Sequence, residues 1–62
     1  MIYNTGDLVL FIADEDNEEY EFGVVVIQYD NYDTEVLFAC GGSFLVDGWD
    51  VQNNFLIPLG AL

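Results

Sequence analysis

Phe22-Gly23-Val24-Val25-Val26-Ile27-Gln28-Tyr29 is the stretch that decides the fold. Four consecutive β-branched residues, Val24 to Ile27, resist a helix, where branching at Cβ restricts χ1, and suit a pleated strand. Alternate residues of a strand point to opposite faces, so this run is apolar on both of them. It belongs in the middle of a sheet or beneath a partner.

Upstream, Gly6-Asp7 opens a strand over 8–12, with Leu8, Leu10 and Ile12 on one face and Val9 and Phe11 on the other. A polar, acid-rich loop over 13–21 separates the two strands. Downstream, Asp30-Asn31-Tyr32-Asp33 is a turn, because Asn and Asp tolerate left-handed backbone and bond to it locally. A third strand follows over 34–39, alternating Thr34, Val36 and Phe38 against Glu35, Leu37 and Ala39. Gly41-Gly42 supplies the positive φ of a tight hairpin turn. A short strand over 44–46, a helical or 3₁₀ turn over 49–53 and a last strand over 55–57 complete the chain. Pro58 suits a sheet edge. In that last strand Phe55 and Ile57 are expected inward, Leu59 and Leu62 outward. No stretch sustains a 3.6-residue period of helical length, so the class is all-β.

The layout resembles the SH3-like small β-barrels, including short versions among small phage-encoded proteins. Gly6-Asp7-Leu8-Val9 and Gly23-Val24-Val25 carry the likeness, together with the closing run of Trp49, one turn and Asn54-Phe55-Leu56-Ile57-Pro58. The resemblance implies one five-stranded SH3-like barrel over 1–62, with a 3₁₀ turn before its last strand, and a viral source. The chain lacks the basic residues of nucleic-acid-binding members and the clustered aromatics of proline-rich-peptide binders. The likeness therefore brings no particular function with it.

A 62-residue chain is near the lower limit for folding unaided. One cysteine allows no internal disulfide, and without histidine it cannot build a structural zinc site. A rich core and self-association remain as stabilisers, so a homo-oligomer is expected. The hydrophobic fraction of 53% exceeds what a narrow interior can hold, leaving apolar surface for a partner. The apolar run over 8–13 is too short to span a bilayer, and no basic stretch of an export signal precedes it. A cytoplasmic location is expected, in the host cell or the virion if the chain is viral.

Twelve acids and no Lys, Arg or His give a net charge of −12. An average chain of this length would carry about seven basic residues. Binding phosphate backbones or anionic lipid requires such residues, so direct contact with nucleic acid or a membrane surface is excluded. The expected partner is a protein with a basic surface. Charge density points the same way: twelve charges equal those of roughly 20 Å of duplex DNA, on a domain about 27 Å across. Small acidic phage proteins that imitate DNA use this property.

Catalysis is not expected. Histidine and lysine are missing as general bases, Ser43 has no base partner, and Cys40 has no cation to lower its pKa. Cys40 reads as a small buried residue beside a turn. Carboxylate pairs alone, on so small a domain, make no glycosidase cleft. No cofactor and no metal are assigned.

Asp14, Glu15, Asp16, Glu18, Glu19 and Glu21 hold six of the twelve acids. They read as a solubilising loop, a divalent-cation loop or a negative patch for a basic partner. Counted from Asp14, the segment lacks the EF-hand glycine at position six and glutamate at position twelve. With Trp49, Leu59 and Leu62, these six acids form the candidate partner-binding set. Trp49 reads either as a core plug or as an exposed interface anchor. Crowded carboxylates are also expected to raise one another's pKa. Charge layout separates two modes of action. Asp30, Asp33, Glu35, Asp47 and Asp50 extending one acidic row would favour a decoy, whereas acids ringing an apolar patch would favour a self-associating structural or virion-assembly protein.

Overall fold

A computed structural model describes residues 3–61. The chain is an antiparallel meander of β1 (Asp7–Asp14), β2 (Glu19–Gln28), β3 (Thr34–Phe38) and β4 (Ser43–Val46), followed by a short helix α1 (Gly48–Gln52) and β5 (Leu56–Ala61). The strands form one sheet in the order β4-β3-β2-β1-β5, so the last strand returns beside the first. The all-β reading holds, and the β-branched run lies in the central strand.

The expected closed barrel does not form. β4 and β5 are the two edges of the sheet, and among the described residues no ladder joins them. β4 is only four residues long and its chain leaves through α1. Pro58, inside β5, has no N–H to give to a further strand.

The inner face carries the core. Val9, Val25 and Val36 are fully buried there, packed with Tyr3, Phe38, Val46, Val51 and Leu56. The register explains the grouping, since Val9 pairs with Gly23, Gly23 with Phe38, Val25 with Val36, and Phe11 with Leu56. Gly23 permits the close approach of β3. A Cβ there would collide with Val36 Cγ1 and lie 3.0 Å from the Leu37 carbonyl. Register shifts within 12–14, within 25–27 and beside Leu8 each add a residue to one strand, which bends and twists the sheet around the core.

Polar groups at the rim of this core are paired. The Tyr3 amide donates to Gln28 Oε1 at 2.8 Å, Gln28 Nε2 to the buried Thr34 hydroxyl at 3.0 Å, and that hydroxyl to the Tyr32 carbonyl at 2.9 Å. The Tyr3 hydroxyl donates to the Leu56 carbonyl at 2.6 Å, tying the chain start to the last strand. Asp47 caps α1 by accepting from the Trp49 amide at 2.9 Å, and Asp33 accepts from the Gly48 amide at 2.7 Å.

Four sequence expectations change. The predicted loop over 13–21 is mostly strand, because the β1–β2 ladder runs on to the Asp14–Glu19 pair, leaving only 15–18 as the turn. The last strand is shifted by one residue: Leu56 is buried and Ile57, half-buried, lies on the opposite face. Cys40 is exposed, because it sits within the turn after β3 rather than at its root. The turn over 30–33 forms as expected, but Tyr32 rather than Asn or Asp takes the positive φ.

Candidate functional site

Strand alternation that sends Val9, Val25 and Val36 inward sends an equally apolar set outward. Leu8, Val24 and Leu37 form one cross-strand row of this outer face, and Ile57, Leu10 and Phe22 the next. Ile12 pairs with Tyr20, and the Ile12 amide donates to the Phe55 carbonyl at 2.8 Å. Trp49 continues this last row by lying on Phe55, with ring centroids 6.0 Å apart and planes within 16°. At the other end Ile27 pairs with Glu35 and Glu35 with Leu45. Phe22 is 55% exposed, Leu37 48% and Leu45 58%. Between Leu8, Phe22, Val24, Leu37 and Ala39 lies a shallow groove of about 240 Å³. An ordinary solvated sheet face alternates with the core face in polarity. This one does not.

The carboxylates lie mainly beyond the ends of that face. Asp14, Glu15, Asp16, Glu18 and Glu19 crowd the β1–β2 turn, with Glu21 two residues into β2. Asp30 and Asp33 occupy the β2–β3 turn at the opposite end of β2, where the Asp33–Gly48 bond also holds Asp47. Asp50 lies on α1, and Glu35 is the one acid whose strand position is on the outer face. The acids therefore fall into two groups separated by apolar side chains, not into one row.

Some of these charges are structural. Asp14 Oδ1 accepts from the Asp16 and Asn17 amides at 3.1 and 3.3 Å, and its Oδ2 from Asn17 Nδ2 at 2.7 Å. These bonds, the Asn17 side-chain amide first, hold the Asp14 pKa below the ordinary carboxylate value, opposite to the rise expected from crowding. Asp7 accepts from the Asn4 amide, and Asp33 and Asp47 hold α1.

The partner-binding set is thus only partly gathered. The six acids share the β1–β2 hairpin, and the Phe55–Ile12 bond brings Trp49 to the same end. Trp49 is 64% exposed, which corrects the core-plug reading. The helix turns Gly48 and Val51 inward, three residues apart, and leaves the intervening Trp49 outside. Leu59 is exposed farther along β5. Leu62 lies outside the described residues. Phe22, Leu37 and Leu45 were not singled out from the sequence, although the doubly apolar run over 24–27 marked the face they share.

A second concavity of about 300 Å³ opens beside Tyr3, Tyr32, Val51, Asn54, Leu56 and Pro58. It holds no charged residue. The Tyr3 hydroxyl there is bonded to the Leu56 carbonyl, and burial raises its pKa. Among the described residues no three carboxylate or thiol groups converge to hold a metal ion, and no helix is long and apolar enough to cross a membrane. No protein-family model, curated protein or solved structure matches the chain.

Proposed function

We propose that this chain is a non-catalytic protein-binding module that docks on its partner through the outer face of its sheet. The observation that carries this reading is an uncovered sheet face as apolar as the core face, bracketed by carboxylates. Six side chains on it, Tyr20, Phe22, Ile27, Leu37, Leu45 and Leu59, are each about half exposed. At about 200 Å² per large side chain they contribute on the order of 600 Å², the upper end for the largest patch on a soluble monomer. The absence of His, Lys and Arg supports a non-catalytic role. Two groups of acids, rather than one row, favour docking by apolar contact over imitation of a nucleic acid, and their sign selects a partner with basic residues around its contact. The strand order and the helix before β5 support an SH3-like reading of the fold, in its open form.

A second reading is self-assembly through the same face, favoured by its exposed apolar side chains and opposed by the acids at its ends. The first is tested by using the chain as bait in a host lysate, washed at low and then high salt. Prey held at high salt by the wild type and lost from Phe22→Ser is the expected result. Prey released by salt alone, and equally by both baits, would return the function to charge.

A further inference from the structure

We infer that the occupant of the outer face is an amphipathic helix of another polypeptide, with an apolar stripe and basic residues at its flanks and ends. This rests on the docking reading above and names the partner's chemistry. Charge decides against a second copy. A two-fold dimer sets the same surface of each subunit against the other. Both copies would then bring two groups of acids and no cation, and like-charge juxtaposition opposes association. No residue of this chain can neutralise them. The neutralising groups must come from outside.

Dimensions favour a helix. The molecule extends 30 × 23 × 19 Å, and its acids stand at both ends of β2 with apolar rows between. A helix is about 10 Å wide and rises 1.5 Å per residue, so about 14 residues cover roughly 21 Å. β2 covers about 30 Å at about 3.3 Å per residue, so such a helix spans the apolar rows, and long basic side chains at its ends extend it toward both acidic turns. The groove between Leu8, Phe22 and Leu37 is about 240 Å³, room for one large apolar side chain as an anchor. Other apolar residues of the stripe meet the row of Leu10 and Ile57.

Calorimetric titration of the full chain with three synthetic 14-residue peptides tests this. One has a leucine stripe and lysines elsewhere, the second replaces its lysines with glutamates, and the third replaces its leucines with glutamines. The leucine–lysine peptide is expected to bind at least about ten-fold more tightly than either of the others. Phe22→Ser combined with Leu37→Ser should weaken it by about ten-fold or more, with an unchanged circular dichroism spectrum. Equal binding of the leucine–glutamate peptide would overturn the charge selection. Undiminished binding to the double variant would place the helix elsewhere, leaving the docking reading to its own test. If no peptide binds and sedimentation shows a dimer that the double variant dissociates, the face belongs to a second copy. The inference then fails while docking through this face stands.

Discussion

The two faces of this sheet have nearly the same composition and opposite fates. Inward, Val9, Val25, Val36 and Leu56 are closed over by the bent sheet and α1. Outward, the half-buried Val24 and the exposed Leu37 and Phe22 come from the same strands, and no second layer of the described residues covers them. Hydrophobicity does not separate the two sets. Geometry does, because the bulges and the Gly23 close approach let the sheet curve toward one side, and the described residues form no second layer on the other. The inner face is where the chain meets its folding cost. The outer face stays exposed once that core has formed.

The sharpest way to break that contrast is to place one charge on each face at adjacent positions. Val36→Asp puts an unpaired carboxylate into the fully buried centre. It should cost about 4 kcal/mol or more, mixing lost burial with desolvation. A domain this small has a total stability of roughly 3–5 kcal/mol, so the variant is expected unfolded by circular dichroism at 25 °C. Leu37→Asp, one residue along and half exposed, should stay within about 0.5 kcal/mol of the wild type in urea unfolding. Its loss should appear only in binding. A comparable drop in both variants would mean that the outer face contributes to folding and is not a free surface.

Strand existence was legible in the sequence because alternation and turn residues are local signals. Leu8 to Ile12 and Thr34 to Phe38 separate into their two faces as read. Which face is inside was not legible, because Val9 and Leu8 are equally apolar and the choice depends on curvature set by distant residues. The last strand slipped by one for the same reason: Phe55, Leu56 and Ile57 are apolar in succession, and only the Phe11–Leu56 pairing fixes the register. Trp49 was ambiguous because α1 is too short to show a period. The site was half legible. Its acids stand out by composition, while Phe22, Leu37 and Leu45 come together only through pairing across three strands.

A smaller effect probes how the inner face is sealed. Tyr3→Phe keeps the buried ring but removes the hydroxyl that bonds to the Leu56 carbonyl. Leaving that acceptor unpaired should cost about 1–3 kcal/mol. The phenol also carries a sign test. Burial raises its pKa, so folding favours the neutral form. That contribution is complete below the unfolded value of about 10 and is lost as pH rises through the higher folded value. Thermal melts between pH 8 and 11 should therefore show the wild type losing its advantage over Tyr3→Phe. A gap that stays constant through this range would mean that burial does not shift the phenol, leaving a hydroxyl contribution independent of pH. Outer-face variants keep Tyr3 and should lose stability in parallel with the wild type over this range.

The smallest expected effect lies at the β1–β2 turn, where both faces end. Asp14 uses its carboxylate within the turn, accepting bonds from Asp16 and Asn17, and its pKa is lowered by them. A lowered value means that its contribution is present above the unfolded pKa of about 3.9 and disappears as pH falls through the folded one. Asp14→Asn loses part of the bonding and all of the titration. Its melting temperature should lie a little below the wild type at pH 7, with the gap closing as pH falls below 4. The wild-type melting temperature at pH 7 should meanwhile rise with added salt, which screens the exposed acids over about 8 Å at physiological strength. A gap between wild type and variant that survives unchanged to pH 2.5 would mean that the lost acceptor oxygen for Asn17, not the lost charge, sets the difference.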